Sequence, residues 1–402
     1  MIIISIKNII KLAFLFDLII IDKKLYPYKI NIHPFYLPNK KPILSIDKYK
    51  KKILKKGRKY LDKCLNFSNN HRFKYIKKPK VSVIIPLYNC EATIKSSLNS
   101  IQFQNMSKIE ILLINDYSID NTSRIIKKAQ KYDHRIKIIN NNKNMGALYS
   151  RSIAALMSKG EYIFSLDNDD MYFCSDVFDY IYKRGKNENL DIVGFLTINI
   201  WNYNAKIEKM KDIYTYLYPE EMYIEQPELG TWMIKFKGNF LVHNNMIWDK
   251  CIKSLIYKKA VNLLGFKRYS KLLIWAEDAS INFVILNLAK NFKYVYKYGI
   301  FHYKSKSTAS FRQTYDIRIF GEIFFLDVIY DFSSNNPENK NLIIGQAIYI
   351  RDRYNITKFS KDMNSYYLKS VLNKIINCKY LSKLNIRKLK TIFSSFLINN
   401  SI

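Results

Sequence analysis

A regular alternation of strand-like and helix-like segments constrains the fold of this chain more than any other feature. Apolar strand-like runs begin near residues 81, 109, 136 and 161, and segments of helical spacing lie between them. The first run, "VSVIIPL", has the β-branched, continuously apolar character of a strand that is buried on both faces. This nearly even interval predicts an α/β domain with a mostly parallel sheet and flanking helices.

Polar residues follow each of these runs. They are Tyr88 and Asn89 after the first, Asn115 and Asp116 after the second, Asn140 to Asn144 after the third, and Asp167 to Asp170 after the fourth. In open α/β sheets ligands bind outside the carboxyl ends of the strands, so these residues are expected to face one crevice. Asn89 is also expected to be the N-cap of the first helix.

The turn after the first strand indicates how a phosphate would be held. The segment "PLYNCEA" contains neither G-x-G-x-x-G nor G-K-[ST], so a glycine-rich backbone cradle is not the main phosphate contact. Asp167 and Asp169 stand at i and i+2 after a buried strand, a pattern suited to a hard divalent cation that takes diphosphate oxygens as further ligands. A solvated turn is the weaker interpretation in a chain with 66 basic and 33 acidic residues.

Composition limits the class of partner. A formal charge of +33 in 402 residues is typical of proteins that bind nucleic acid or an anionic membrane. Lys, Ile, Asn and Tyr are abundant throughout, however, so lysines spread over solvated faces are the favoured interpretation and nucleic acid is not the expected partner. Five widely spaced cysteines without a C-x-x-C pair indicate a reducing compartment rather than a disulfide or zinc framework.

Five motifs together resemble the family 2 glycosyltransferases, over roughly residues 80–310. They are, in order, "VSVIIPLYN", "EILLINDYSIDNT", "NKNMGALYSRS", "KGEYIFSLDNDD" and "WAEDAS". The resemblance implies a GT-A nucleotide-diphospho-sugar transferase fold, which is a Rossmann-like α/β fold. It also implies transfer of a sugar from a nucleotide-sugar donor, usually with inversion at the anomeric carbon and with help from Mn²⁺ or Mg²⁺.

The resemblance implies roles for the residues at matching positions. The D-x-D motif falls on Asp167, Asn168 and Asp169, where Asp169 is expected to ligate the metal and Asp167 to contact the ribose or the metal. Asp116 matches the acid that recognises the base, typically uracil. His302 lies where some relatives bring a third metal ligand or a phosphate contact, although a structural role is favoured for it. The nucleotide-binding candidates are Pro86, Tyr88, Asn89, Glu91, Asp116, Arg151, Asp167 and Asn168.

Three positions depart from the family pattern. Asn115 replaces the commonest Asp, Tyr117 replaces a frequent Gly, and Ser152 replaces the usual Asn after the arginine. These departures leave the identity of the nucleotide less well defined than the fold.

The attacking hydroxyl of a sugar acceptor is a poor nucleophile and needs a general base. Asp278 is the best candidate because it opens an apolar helix pattern, where the positive end of the helix would keep its carboxylate ionised. Glu277 is expected to orient the acceptor or to share this role. An ordinary helix start is the alternative for both acids. Arg151 is expected to pair either with the diphosphate or with a carboxylate.

The chain divides into four predicted regions. Residues 1–79 are a helical, basic extension, 80–190 the nucleotide-binding half and 191–310 the acceptor half of the catalytic domain, and 311–402 a helical segment. The apolar amino terminus is interrupted by polar residues and is too short to span a bilayer, which predicts a cytoplasmic protein or one on the cytosolic face of a membrane. Peripheral membrane contact stays open, as does a glycan, lipid-linked or protein acceptor.

Two other functions remain open from the sequence. One is a sugar nucleotidyltransferase, which would need a glycine-rich basic loop that "PLYNCEATIK" lacks. The other is a non-catalytic basic protein that binds nucleic acid or a membrane surface on a decayed transferase fold. In the acceptor half, Trp232 and Trp248 are candidates for stacking on a sugar ring. A core position is favoured for Trp248, because Ile247, Ile252 and Leu255 accompany it at helical spacing.

Overall fold

The computed structural model describes the domain that carries the predicted site and three helices that follow it. The described residues are 57, 59, 60, 62–64, 73–201, 222–225, 233–236, 239–242, 246–266, 273–304, 315–333, 340–353, 363–376 and 387. The apolar stretch at the amino terminus and Trp232 lie outside them, so the predictions made for both stay predictions. Among the described helices, none is long and apolar enough to cross a membrane.

One mixed sheet of nine strands organises the described residues. The strands are β1 (Val81–Leu87), β2 (Ile109–Asn115), β3 (Ile136–Asn140), β4 (Tyr162–Ser165), β5 (Met171–Tyr172), β6 (Ile192–Trp201), β7 (Met222–Glu225), β10 (Lys250–Lys253) and β11 (Asn291–Lys304). Their order in the sheet is β3-β2-β1-β4-β10-β6-β11-β5, and β7 also pairs with β11. A separate hairpin joins β8 (Met233–Phe236) to β9 (Asn239–Val242).

The first four strands are parallel, as their sequence interval predicts. Val81 of β1 lies opposite Ile109 of β2 and Tyr162 of β4, and Ile111 of β2 lies opposite Ile136 of β3. Beyond β4 the sheet is mixed, because β10 runs antiparallel to both of its neighbours while β6 and β11 are parallel to each other. The carboxyl ends of β1 to β4 therefore share one edge of the sheet.

Helices cover both faces of this sheet. They are α1 (Ile94–Gln102), α2 (Thr122–Tyr132), α3 (Ala147–Met157), α4 (Val177–Asn187), α5 (Ser254–Leu264), α6 (Glu277–Leu288), α7 (Tyr315–Ser333), α8 (Lys340–Arg353) and α9 (Met363–Ile376). The buried side chains of β1 alternate between two apolar cores, since Val83 and Ile85 face one and Ile84 faces the other. The core that contains Ile84 also holds apolar residues of α7, α8 and α9.

Two local predictions were wrong. The N-cap of α1 is Thr93 rather than Asn89, whose φ of 46° places it in a left-handed turn before the helix. Trp248 is buried as expected, but it is not helical, because it lies two residues before the start of β10. Leu255, which was expected to lie on the same helix face, is on α5 and is exposed. The apparent helical spacing crossed the boundary between a strand and a helix, and pattern alone does not show such a boundary.

Candidate active site

The loops after β1 and β2 are tied together by reciprocal hydrogen bonds. The backbone N–H of Ile119 donates to Asn89 Oδ1 (2.9 Å), and the N–H of Asn89 donates to Ser118 Oγ (3.1 Å). Glu91 accepts from the N–H and the side-chain amide of Asn121 at 2.9 and 2.8 Å. Two predicted nucleotide-binding residues, Asn89 and Glu91, thus hold the shape of the crevice rim, and Tyr88 beside them is half exposed.

Asp116 is buried where β2 ends, and the loop before α3 surrounds its carboxylate. Oδ1 accepts from Asn141 Nδ2 (2.7 Å) and from the backbone N–H of Met145 (2.8 Å). Oδ2 accepts from the N–H of Gly146 (2.8 Å). A carboxylate offers about four acceptor positions, so one position on Oδ2 is left for a ligand.

Three acids follow β4, and among the described residues they form the only cluster able to hold a metal ion. Ligand atoms of Asp167, Asp169 and Asp170 lie within 4.8 Å of one another. Burial and the neighbouring Asp170 and Asp167 raise the pKa of Asp169 to about 7. Such mutual repulsion is what a divalent cation relieves, and oxygen donors are the ligands that Mg²⁺ and Mn²⁺ prefer. The amide of Asn168 donates to the carbonyl of Pro86 (3.1 Å), which joins the cluster to the end of β1.

Arg151 joins the acidic cluster to the start of α6. This buried side chain donates from Nη2 to Asp167 Oδ1 (2.6 Å) and from Nη1 to Asp278 Oδ1 (2.6 Å). Its Nη1 also lies 3.8 Å from Glu277 Oε1. Of the two partners expected for Arg151, the structure shows the carboxylates.

Asp278 and Glu277 occupy the first turn of α6, as the sequence predicts. Burial raises the pKa of Asp278 to about 6, and the positive charge of Arg151 opposes this rise. Burial and the neighbouring Asp278 raise the pKa of Glu277 to about 8. Asp278 is therefore mostly ionised at neutral pH, although its pKa is higher than its place at the helix end alone would give. Its side chain is 22% exposed, so a substrate can reach it.

His302 pairs with Asp170, the most buried acid of the cluster. Nδ1 of His302 lies 2.9 Å from Asp170 Oδ2, and Asp170 Oδ1 accepts from the backbone N–H of Tyr303 (2.9 Å). The His302 ring stacks on Trp248 at 4.5 Å between ring centroids. These contacts fix the ring next to the acids, while the predicted role of His302 as a metal ligand stays a prediction.

Sequence reasoning gave no role to a buried polar group behind the site. Lys250 on β10 is fully buried and its Nζ lies 2.6 Å from Asp249 Oδ1, while Asp249 Oδ2 accepts from the hydroxyl of Tyr294 (2.6 Å). The sequence does carry one indication of this group, because Asp249 and Lys250 interrupt an apolar segment from Ile247 to Ile252. Residue spacing does not show, however, that these two charged side chains are buried and paired.

The sequence of this chain is similar to those of known glycosyltransferases. Residues 82–248 match the profile of "Glycosyl transferase family 2". The putative glycosyltransferase EpsH of Bacillus subtilis is 27% identical over 257 residues, which are 61% of this chain and 66% of EpsH. The UDP-Glc:alpha-D-GlcNAc-diphosphoundecaprenol beta-1,3-glucosyltransferase WfaP of Escherichia coli is 39% identical over 102 residues, 25% of this chain and 40% of WfaP.

A solved structure confirms the expected GT-A fold. The crystal structure of S. aureus TarS 1–349 in complex with UDP-GlcNAc has a TM-score of 0.55 and covers 80% of this chain and 92% of the TarS chain. At 14% identity this likeness concerns the fold alone. The chain therefore spans only part of the length of these curated relatives, 66% of EpsH and 40% of WfaP.

Proposed function

We propose that this chain, a member of glycosyl transferase family 2 through residues 82–248, transfers a sugar from a UDP-sugar to a hydroxyl group of a glycan or lipid-linked acceptor, with inversion at the anomeric carbon. Arg151 carries the proposal, because its two terminal nitrogens hold Asp278 and Asp167 at 2.6 Å each and so bring both acids to one guanidinium. The names of WfaP and of the TarS complex, which give UDP-Glc and UDP-GlcNAc, support a UDP-sugar donor.

Asp278 acts as the general base in this proposal. Its carboxylate takes the proton of the acceptor hydroxyl as that oxygen forms a bond with the anomeric carbon of the donor. The bond between that carbon and the diphosphate oxygen breaks at the same time, and UDP leaves on the opposite face of the sugar. Arg151 keeps the base ionised and oriented, and Glu277 beside it orients the acceptor.

Asp167 and Asp169 would hold a divalent cation, Mn²⁺ or Mg²⁺. Asp167 keeps one oxygen for this purpose while Arg151 occupies the other, and Asp170 is positioned by His302 and Tyr303. When bound, the cation would supply Lewis-acid stabilisation of the negative charge on the leaving diphosphate. Asp116 would use its remaining acceptor position to bind the base of the nucleotide.

Thermal unfolding of the wild-type protein and of Asp169→Asn tests this assignment. We expect UDP and Mn²⁺ together to raise the unfolding midpoint of the wild type more than either alone, because a ligand stabilises by RT ln(1 + [L]/Kd). At UDP concentrations near 100 Kd this amounts to about 2.7 kcal/mol. The joint stabilisation should disappear in Asp169→Asn.

Asp179→Asn is the matched control, since Asp179 is an acid on the surface of α4 that pairs with Lys183. It should keep the full response to UDP and Mn²⁺. If Asp169→Asn kept the Mn²⁺-dependent response, the metal assignment would be wrong. If the wild type responded to no uridine nucleotide, the proposed donor would be wrong.

A further inference from the structure

Tyr117, in the loop between β2 and α2, has an unusual backbone conformation. Its φ of 65° lies in the left-handed region, which is strained for a bulky side chain. Among the described residues, the other non-glycines with positive φ are Asn89, Asn189 and Ala276. Asparagine tolerates this region, but alanine and tyrosine do not favour it. Both of these residues adjoin a predicted site residue, since Ala276 directly precedes Glu277 and Tyr117 directly follows Asp116. Strain of this kind is concentrated at functional sites.

Hydrogen bonds hold the backbone on both sides of Tyr117. The backbone N–H of Asp116 donates to the carbonyl of Leu87 (2.8 Å), and its carboxylate is held by the loop before α3. On the other side, the N–H of Ser118 donates to Asn115 Oδ1 (3.2 Å) and the N–H of Ile119 to Asn89 Oδ1. A glycine would adopt the same backbone without strain, so folding alone does not require a tyrosine at this position.

Tyr117 lies at the rim of the predicted nucleotide site, because it directly follows Asp116 at the end of β2. Its side chain is 55% exposed, and Tyr88 on the adjacent loop is 49% exposed. Leu87 and Asn115 are paired in the sheet, so Tyr88 and Tyr117 leave neighbouring strands at the same edge. The backbones of both tyrosines therefore lie next to that of the buried Asp116, Tyr117 along the chain and Tyr88 across the two strands.

We infer that Tyr117 packs its ring against the nucleobase of the donor nucleotide. This inference rests on the proposed function and adds a residue that fixes donor affinity. Asp116 has only one acceptor position left, so hydrogen bonding from this side chain supplies a single contact to the base. A tyrosine ring offers a large apolar face that loses little conformational entropy on binding, and a base has an aromatic face to meet it.

The test compares Tyr117→Gly, Tyr117→Phe and the wild type, all as full chains, by calorimetric titration with UDP in the presence of Mn²⁺. We expect Tyr117→Gly to bind UDP about tenfold more weakly, which is within the range for loss of one aromatic contact to a base. Tyr117→Phe should bind like the wild type, because it keeps the ring. Pyrophosphate with Mn²⁺ has no base, so all three proteins should bind it equally.

Unfolding without ligand separates a binding role from a structural one. Tyr117→Gly relieves the backbone strain, so its midpoint should be no lower than that of the wild type while its UDP affinity falls. Asn189→Gly makes the same change at another left-handed residue, which accepts from Lys253 at the opposite edge of the sheet, and should leave UDP affinity unchanged.

Two results would overturn the inference. Equal UDP affinity of Tyr117→Gly and the wild type would exclude a contact with the base. The same conclusion would hold if Tyr117→Gly changed only the KM for the acceptor. An equal loss of affinity for pyrophosphate and UDP would show that the variant disturbs the diphosphate site instead. A wild type that binds no uridine nucleotide would overturn the proposed donor itself, and this outcome is distinct from both.

Discussion

At the scale of single residues, Arg151 determines the charge that the acids of the site carry. Burial would lower the pKa of its guanidinium, but Asp278 and Asp167 raise it above the usual value, so Arg151 remains charged. The same contact opposes the effect of burial on Asp278. Glu277 lies farther from the guanidinium than Asp278 does and has the higher pKa, about 8. Of the two acids in the first turn of α6, Asp278 therefore ionises first as pH rises.

This difference predicts how activity depends on pH. Asp278 must be deprotonated to accept a proton, and its pKa is about 6, so kcat/KM should fall about tenfold for each pH unit below that value. Asp278→Asn should bind UDP like the wild type and transfer no sugar at any pH. The measurement is transfer from a UDP-sugar at saturating Mn²⁺, with UDP affinity measured in parallel.

Glu277→Gln is the comparison variant for this experiment. It keeps the carboxylate of Asp278, so the decline in activity below about pH 6 should remain. Full transfer by Asp278→Asn would eliminate Asp278 as the base. A wild-type rate that does not change across this range would contradict the protonation state assigned to it.

At the scale of elements, the sequence was sufficient for the part of the sheet with a regular repeat. Strands β1 to β4 lie where the interval predicts, and their polar ends share one edge. The mixed half was not predictable, because β10 and β11 come from segments without an even interval and their pairing depends on contacts distant in sequence. The contact between Arg151 and Asp278 was open for the same reason, since no local pattern specifies which carboxylate a buried arginine meets.

Glu110 links three strands at the end of the sheet opposite the site. In β2 it accepts from Ser82 Oγ on β1 (2.6 Å), from Lys137 Nζ on β3 (2.5 Å) and from the backbone N–H of Lys159 before β4. Burial would raise the pKa of Glu110, but these hydrogen bonds outweigh burial and hold it below its ordinary value. The ionised side chain therefore stabilises the folded state.

Glu110→Gln should lower the free energy of unfolding by about 2 kcal/mol at neutral pH, the usual scale for a hydrogen bond to a charged group. Because the pKa is depressed in the folded state, this contribution is present above the unfolded pKa and is lost as pH falls through the folded one. The difference between variant and wild type should shrink accordingly in urea titrations at acidic pH.

Glu161→Gln is the matched control, since Glu161 also accepts from a lysine, Lys186, but both side chains are about half exposed. Exposed pairs contribute little, so this variant should lose less than about 1 kcal/mol. Equal losses in Glu110→Gln and Glu161→Gln would show that Glu110 does not join the strands as argued.

At the scale of the whole molecule, α7, α8 and α9 are continuous with the domain that carries the site. Their apolar side chains belong to the same core as residues of β1, α5 and α6. Glu322 on α7 accepts from Trp275 Nε1 (2.7 Å) and from Gln346 Nε2 on α8 (2.7 Å). Trp275 stands two residues before Glu277, so these helices support the backbone that carries the proposed base.

Gly321 is the point of closest approach in this support. A Cβ atom at this position would lie 2.0 Å from the backbone carbonyl oxygen of Trp275, so the start of α6 or α7 would have to move. Gly321→Ala should therefore cost about 1–3 kcal/mol of stability, as overpacking does, and should also lower kcat by displacing Asp278. Donor affinity should change little, because Asp116 and the acids after β4 are held by other elements.

Ile329→Val separates these two effects, because it weakens the buried face of the same helix without adding an atom near Trp275. It should cost about 0.5–1.5 kcal/mol and leave kcat unchanged at a temperature where both variants are folded. If Gly321→Ala lost stability but kept the wild-type kcat, the terminal helices would stabilise the domain without positioning its base. A lower kcat in Gly321→Ala, together with an unchanged kcat in Ile329→Val, would show that the terminal helices position Asp278.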